Sequence, residues 1–460
     1  MEREGFLKSL FDVRPDERRI AALMCGYFFL VITSFWVLKP IKKTLFIQYY
    51  VETGFDFLGR HFSASEAELL AKVLNMFVAA AAAAIFGLLA SRMRRQQLTY
   101  TFSAFFIALY FVFAFLLSSP AAASVWSFYL FGDLFSTIMV ATFYSFLNDS
   151  VNSDAAKRLY GLIGFGGVAG GAFGSTVVAL WIDRYAVSTW LLFAAAIAVV
   201  IVLLAWAASR ALPDYTTEAT EATEAKKTRE AGKAPASDED DSAETAGGGA
   251  LRGAQLVFRS SYLLSIVAIV GVYELVSTLV DFQFTSAIVA FSEDAASRSQ
   301  NFATVYATSN WLAMFVQLFL TSLVMRRFGM TTALLVLPTS IAMASAGFLL
   351  APSLLLGGML SISDNGFSYS LNQSAKEALY VPTSVEEKYQ AKAFIDMFVQ
   401  RFAKALGVGL SLIITAYFTD IEGIRLLTFF VLPLLGVWVF AAITAGRRFS
   451  ERTTTESTHA

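Results

Sequence analysis

Residues 213–250 read PDYTTEATEATEAKKTREAGKAPASDEDDSAETAGGGA, a stretch of Ala, Glu, Thr, Ser and Gly without an apolar period. A segment of this kind buries too little apolar surface to offset the entropy of ordering it, so it is expected to be a disordered linker. Outside it the chain changes character. Across the 460 residues 56% are hydrophobic and only 15% charged, with a mean hydropathy of +0.59. Soluble domains carry about a quarter charged residues; here lipid must replace water as the solvent for most side chains. A net charge of −1 gives no reason to expect a nucleic-acid partner. His61 and His459 are isolated and Cys25 is the sole cysteine. Neither a histidine relay, an internal disulfide nor a structural zinc site is expected, and with them no metal, cofactor or enzymatic role.

A hydrocarbon core about 30 Å thick needs roughly 20 apolar residues of helix. Twelve segments qualify: about 20–47, 68–90, 98–118, 124–148, 159–182, 188–208, 260–290, 300–325, 331–351, 353–379, 391–418 and 424–446. The tenth, which contains GGMLSISDNGFSYSLNQSAKEALY, has the weakest hydropathy. The charged N-terminus MEREGFLKSLFDVRPDERR precedes an apolar run too long for a cleavable signal, so that run is expected to stay as the first anchor.

Charge placement orients these segments. With the N-terminus inside, the inner loops hold Arg92, Arg94, Arg95, Lys157, Arg158, Arg326, Arg327, Lys388, Arg447 and Arg448, and the outer loops only Arg60, Arg184, Arg298 and Arg425. This is the positive-inside asymmetry, and it predicts a multi-pass protein of an inner (plasma) membrane with both termini cytoplasmic. The expected organisation is a cytoplasmic N-terminus over 1–19, a six-helix half over 20–210, a disordered linker over 211–255, a second six-helix half over 256–446 and a tail over 447–460. Short basic loops follow the second helix of each half, GLLASRMRRQQ at 87–97 and SLVMRRFGMTT at 322–332. The first is a degraded form of the major-facilitator loop motif, with Ser91 where that motif has Asp. The fold class is therefore all-α, twelve transmembrane helices in two six-helix halves, similar to the major-facilitator architecture, whose binding site lies between the halves near the bilayer midplane.

GLIGFGGVAGGAFGS at 161–175 matches the dinucleotide fingerprint through Gly164, Gly166 and Ala169. That fingerprint requires a strand before it and an enclosing βαβ unit, whereas this copy falls inside a membrane helix. The four-residue spacing Gly166–Gly170–Gly174 instead clears a smooth face for close helix packing.

The intramembrane charges are harder to dismiss. In SFWVLKPIKKTLF at 34–46, Lys39, Lys42 and Lys43 project from one helix face. Lys39 lies roughly 28 Å from the predicted inner end at about 1.5 Å per residue. Snorkelling to the interface would explain that position, but LFI at 45–47 continues the apolar run. A membrane-buried charge costs at least about 2.5–3.5 kcal/mol, so three on one stripe favour an anion site. Other helices add Lys72 and Asn75, Asp133, then Glu274, Asp281 and Gln283, then Asp364, Asn365, Asn372, Gln373, Lys376 and Glu377. Asp396, Gln400, Arg401 and Lys404 belong to the eleventh segment, where Asp396, Gln400 and Lys404 repeat every four residues. Spread over both halves, the set suits a polar cavity.

Three stretches carry a resemblance: VLKPIKKTLF at 37–46, NSDAAKRLYGLIGFGG at 152–167, and SAKEALYVPTSVEEKYQAKAFIDMFVQRFAKALG at 374–407, with YELVSTLVDFQF at 273–284 as a fourth. They resemble the nucleotide exchangers, the ATP/ADP antiporters of plastids and intracellular bacterial parasites, together with their wider bacterial relatives. The third stretch is the most specific, with Lys376, Glu377, Pro382, Lys388, Lys392, Ala393 and Asp396 in the family's order. The resemblance implies a twelve-helix transporter that exchanges a nucleotide for another nucleotide or phosphate. It implies a basic site residue at Lys42, a loop pair at Lys157 and Arg158, and a site acid at Asp281. The sequence departs from the pattern at Lys43, Ala155 and Thr285, which places it with the wider bacterial group.

The expected function is alternating-access transport of an anionic, phosphorylated solute by a monomer in the lipid bilayer. The expected substrate site is Lys39, Lys42, Lys43, Lys72, Asp281, Lys376, Glu377, Lys392, Asp396, Arg401 and Lys404, with Arg92, Arg94, Arg95, Lys157, Arg158, Arg326 and Arg327 as gating loops. No Walker-type GxxxxGK[ST] occurs to supply energy by hydrolysis. The alternatives are a major-facilitator transporter of another organic anion or lipid-like solute, and a non-transporting membrane scaffold or sensor. A scaffold has no need of intramembrane charges.

Overall fold

The computed structural model describes residues 17–150, 153–211, 246–384, 387–418 and 420–459. The first half contains α1 (Arg18–Tyr50), α2 (Ala64–Arg92), α3 (Arg95–Leu116), α4 (Ala122–Ser150), α5 (Ser153–Trp181) and α6 (Val187–Ala211). A short helix, α7 (Ala246–Arg259), precedes the second half. That half contains α8 (Ser261–Phe291), α9 (Ala295–Arg327), α10 (Gly329–Leu350), α11 (Leu354–Phe367, prolonged to Ala378), α12 (Lys392–Thr415) and α13 (Thr428–His459). Among the described residues eleven helices are long and apolar enough to cross a membrane. The twelfth, α11, misses that standard because Asp364, Asn365, Asn372, Gln373, Lys376 and Glu377 interrupt it, yet it continues through a π-helical turn over Ser368–Asn372 into Gln373–Ala378. The chain is an all-helical, multi-pass membrane protein of two six-helix halves. The one departure from all-α among the described residues is a hairpin between α1 and α2, β1 (Phe55–Phe57) paired antiparallel with β2 (Arg60–Phe62).

Two expected boundaries move. Residues 246–255, assigned by composition to the linker, are helical in α7, where Gly253 lies against the backbone of Gln390, so neighbouring structure supplies what the segment lacks alone. The rest of the linker, 212–245, lies outside the described residues, as does most of the N-terminus. The last helix runs on past residue 446, to His459.

Packing follows from sequence in two ways. Each half has its own apolar core, one around Met24, Phe106, Phe135 and Ile201, the other around Ile266, Leu279, Leu334 and Trp438. Large apolar side chains also face outward, among them Phe77, Phe115, Leu350, Phe402 and Phe440; a surface this apolar is at home only in lipid. The glycines of α5 pack against α1 as their spacing predicts. A Cβ on Gly166, Gly170 or Gly174 would stand 2.7, 2.3 or 2.6 Å from the carbonyl oxygens of Cys25, Phe29 and Thr33. Backbone meets backbone along this seam, so no side chain can be added.

The halves meet in an aromatic cluster at the end that carries the hairpin. There Trp36, Phe46 and Tyr50 of α1 and Tyr129 of α4 form one cluster with Phe284 and Ile288 of α8 and Phe302 and Tyr306 of α9. Gln48 donates to the Ala295 carbonyl (2.9 Å) and the Ser299 hydroxyl (2.8 Å). Gln300 donates to the Ala179 carbonyl (2.8 Å) and the Trp311 indole to the Thr176 hydroxyl (2.9 Å).

Candidate functional site

Beneath that seal lies a cavity of about 250 Å³ between the halves. Its walls come from α1, α2 and α4 on one side and α8, α9, α11 and α12 on the other. Five lysines line it, Lys39, Lys42, Lys43, Lys72 and Lys404, with five carboxylates, Glu68, Asp133, Glu274, Asp281 and Asp364. The three lysines of α1 therefore face a cavity and not lipid. Pro40 sits among them; lacking an N–H, it leaves the carbonyl one turn back without its helical donor.

The charges are paired unequally. Lys42 is bound to Asp133, whose second oxygen accepts from Asn75 at 2.9 Å. Lys43 lies 3.0 Å from Asp281 Oδ1, 3.1 Å from Oδ2 and 3.3 Å from Glu68 Oε1. Lys72 is bound to Asp281 Oδ2 and stands 3.4 Å from Glu68 Oε2, one helical turn before it. Glu68 is 1% exposed and also accepts from Tyr129 (2.9 Å) and Thr285 (3.4 Å). A carboxylate so enclosed is tolerable because donors surround it.

Lys39 is different. Its ammonium donates to Asn365 Oδ1 at 3.3 Å and otherwise faces rings: 4.4 Å from the centroid of Trp36, 4.9 Å from Tyr306, 5.5 Å from Tyr369 and 5.9 Å from Phe35. Ring faces attract a cation more weakly than a carboxylate does, so Lys39 retains capacity for an anion. Nearby, Asp364 accepts from Ser277 at 2.7 Å through Oδ2, while its buried Oδ1 has no partner among the described residues.

Comparison with known proteins places this geometry. The model of the TLC ATP/ADP transporters matches residues 117–449.

The chain belongs to the TLC ATP/ADP transporter family.

Among its relatives, "ADP,ATP carrier protein 1" of Chlamydia pneumoniae is 24% identical over 320 residues, covering 61% of this chain and 58% of that protein. "ADP,ATP carrier protein 2, chloroplastic" of Arabidopsis thaliana is 21% identical over 365 residues, covering 71% of this chain and 54% of that protein. The match therefore spans little more than half the length of these curated relatives. In fold the chain is similar to the nucleoside transporter NupG in a mutant form, with a TM-score of 0.61 at 14% identity, covering 93% of this chain and 99% of that one. It is also similar to a bacterial homolog of the human lysosomal transporter Spinster, inward-facing and unoccupied, with a TM-score of 0.58 at 11% identity, covering 95% and 98%. At such identities the likeness concerns fold alone.

Within this family fold, the residues singled out from sequence divide. Lys39, Lys42, Lys43, Lys72, Asp281 and Lys404 line the cavity. Arg401 stands at its edge, donating to the carbonyl of Met76 at 3.0 Å, itself a lining residue. Lys392 and Glu377 pair with each other at 2.5 Å toward the opposite end from the hairpin. Asp396 accepts from Gln400 at 3.5 Å and, like Lys376, is not part of the cavity wall. Arg92, Arg326 and Arg327 are exposed at helix C-termini and Arg94 is exposed between α2 and α3, while Arg95 donates to the Ala90 carbonyl at 2.6 Å. The side chains of Lys157 and Arg158 lie outside the described residues. Sequence reasoning passed over Glu68, although a Glu four residues before Lys72 on one helix is a pairing signal. It also passed over the ring-bearing lining residues Phe35, Tyr129, Tyr306 and Tyr369, which composition alone cannot tell from core.

Proposed function

We propose that the chain is a secondary transporter of an anionic, phosphorylated solute, a nucleotide foremost, working by alternating access. The observation that carries this reading is the cavity itself, which sets lysine ammoniums beside aromatic rings between two rigid halves. Phosphate needs compact cations; a nucleobase needs a flat apolar surface. Family membership supports the same substrate class, and the curated relatives named for ADP and ATP point to nucleotides.

In this reading the substrate ligands are Lys39, with Lys42, Lys43, Lys72 and Lys404 around it. Arg401, Asp396, Lys376, Lys392 and Glu377 form a charged approach to the cavity, and the basic loops at Arg92–Arg95 and Arg326–Arg327 belong to the cytoplasmic face. Both termini and the segment between α6 and α7 are cytoplasmic in the inner membrane, from the lysine and arginine asymmetry. The seal at the hairpin end then makes this conformation closed to the outside. Two six-helix halves rocking about the cavity would expose it alternately.

Purified protein in liposomes loaded with unlabelled ATP, ADP or phosphate, and offered each labelled probe outside, tests the reading. Saturable uptake of a nucleotide that depends on the internal solute is expected. Uptake of none of these anions above protein-free liposomes would remove it.

A further inference from the structure

Asp281 belongs to the second half, yet its carboxylate is held by the first. Lys43 of α1 touches both of its oxygens and Lys72 of α2 binds Oδ2. Those two lysines share one further acid, Glu68, at 3.3 and 3.4 Å. Two cations thus meet two carboxylates, and the cluster is neutral in itself. Lys42 is matched separately by Asp133.

Neutrality bears on what the empty transporter can do. Reorienting requires a closed intermediate from which bulk water is shut out. Unpaired ammoniums there would be strongly unfavourable. A carrier whose binding lysines depend on substrate for their counter-charge is therefore held until substrate returns, and can only exchange. For Lys43 and Lys72 the counter-charge is already in the protein.

We propose that Asp281 is a built-in counter-anion that takes the place of the substrate's anionic group on Lys43 and Lys72 when the cavity is empty, so that the chain transports its substrate in one direction as well as by exchange. The proposal rests on the transport reading above and adds to it how the empty form behaves. Arrival of an anionic substrate displaces the Asp281 carboxylate from the two lysines; its departure returns it. Because the acid is on α8 and the lysines are on α1 and α2, the same swap breaks and remakes a link between the halves.

Liposomes loaded with labelled ADP, with the membrane potential clamped, separate the two modes. Efflux into buffer without nucleotide or phosphate reports net transport, and efflux into unlabelled ADP reports exchange. The wild type should show both. Asp281→Asn leaves Lys43 and Lys72 with Glu68 alone and should lower the ratio of net efflux to exchange by about 70-fold or more, the effect of one unmatched membrane charge. Adding Lys72→Met to Asp281→Asn restores one cation to one acid and should recover the ratio. Wild-type efflux that occurs only against external nucleotide overturns the proposal while leaving the transport reading intact. An unchanged ratio in Asp281→Asn overturns it equally. Should that variant fail to insert, the wild-type ratio and that of Asp281→Asn with Lys72→Met decide. Efflux of labelled ADP into neither buffer counts against transport itself.

Discussion

At the residue scale, the three lysines of α1 that looked alike in sequence have three different environments. Lys42 is one partner of a buried pair, so Lys42→Gln should destabilise the protein by about 3 kcal/mol, the cost of leaving Asp133 unmatched. Lys42→Gln combined with Asp133→Asn should recover a large part of it, and thermal unfolding in detergent of the single and double variants checks both. Lys43 sits between Glu68 and Asp281, so Lys43→Asp would gather three carboxylates at one point and should abolish folded protein. Sequence made all three lysines visible because a charge inside an apolar run is conspicuous. Their partners were only half legible. Asp133 and Asp281 could be noticed as buried acids, but which lysine each meets depends on contacts between helices far apart in the chain. Glu68 lay at the predicted edge of a span, where a charge is unremarkable.

At the element scale, hydropathy located the eleven apolar spans of the described residues, and it was weakest at α11, where Asp364 and Asn365 line the cavity instead of lipid. Within the repeat of Asp396, Gln400 and Lys404 the first two still meet, Gln400 donating to Asp396 at 3.5 Å, while only Lys404 lines the cavity. A π-helical turn over Ile395–Val399 widens α12 just there. Since each residue advances an α-helix by about 100°, one extra residue in a turn rotates the later part of the helix away from the earlier part. Lys404 reaches the cavity and Asp396 does not. Nothing in the apolar pattern marks a π turn. The start of α2, by contrast, is written in the sequence: Ser63 and Glu66 form a capping box, with Ser63 N–H to Glu66 Oε2 at 2.8 Å. Ser63→Ala should cost about 1 kcal/mol of stability, measurable as a lowered Tm. Gly170→Ala places a Cβ against the Phe29 carbonyl and should cost about 1–3 kcal/mol by forcing α1 and α5 apart.

At the scale of the whole molecule, two self-contained cores meet across a polar cavity and are sealed at one end. If the halves rock, that seal must open. Cysteines at Gln48 and Ser299, whose side chains meet at 2.8 Å across the seam, should cross-link in a Cys25→Ser background and stop transport, and a reducing agent should restore it. Transport that continues through the cross-link would rule out rocking about this seam. Topology is checked by single cysteines in the same background: Ser119→Cys should react with an impermeant reagent from outside, and Gln97→Cys only after permeabilisation. An anion is expected to bind in this cavity. Lys39 is the sharpest probe, because it contacts Asn365 and aromatic rings but no carboxylate among the described residues, so removing it strands no acid. Titration calorimetry of ADP with wild type and Lys39→Met therefore measures the site with little disturbance of the fold. Loss of one charged hydrogen bond predicts a Kd raised roughly tenfold to a hundredfold, with Tm in the absence of ADP little changed. Equal affinity in the two proteins would contradict an anion site at Lys39.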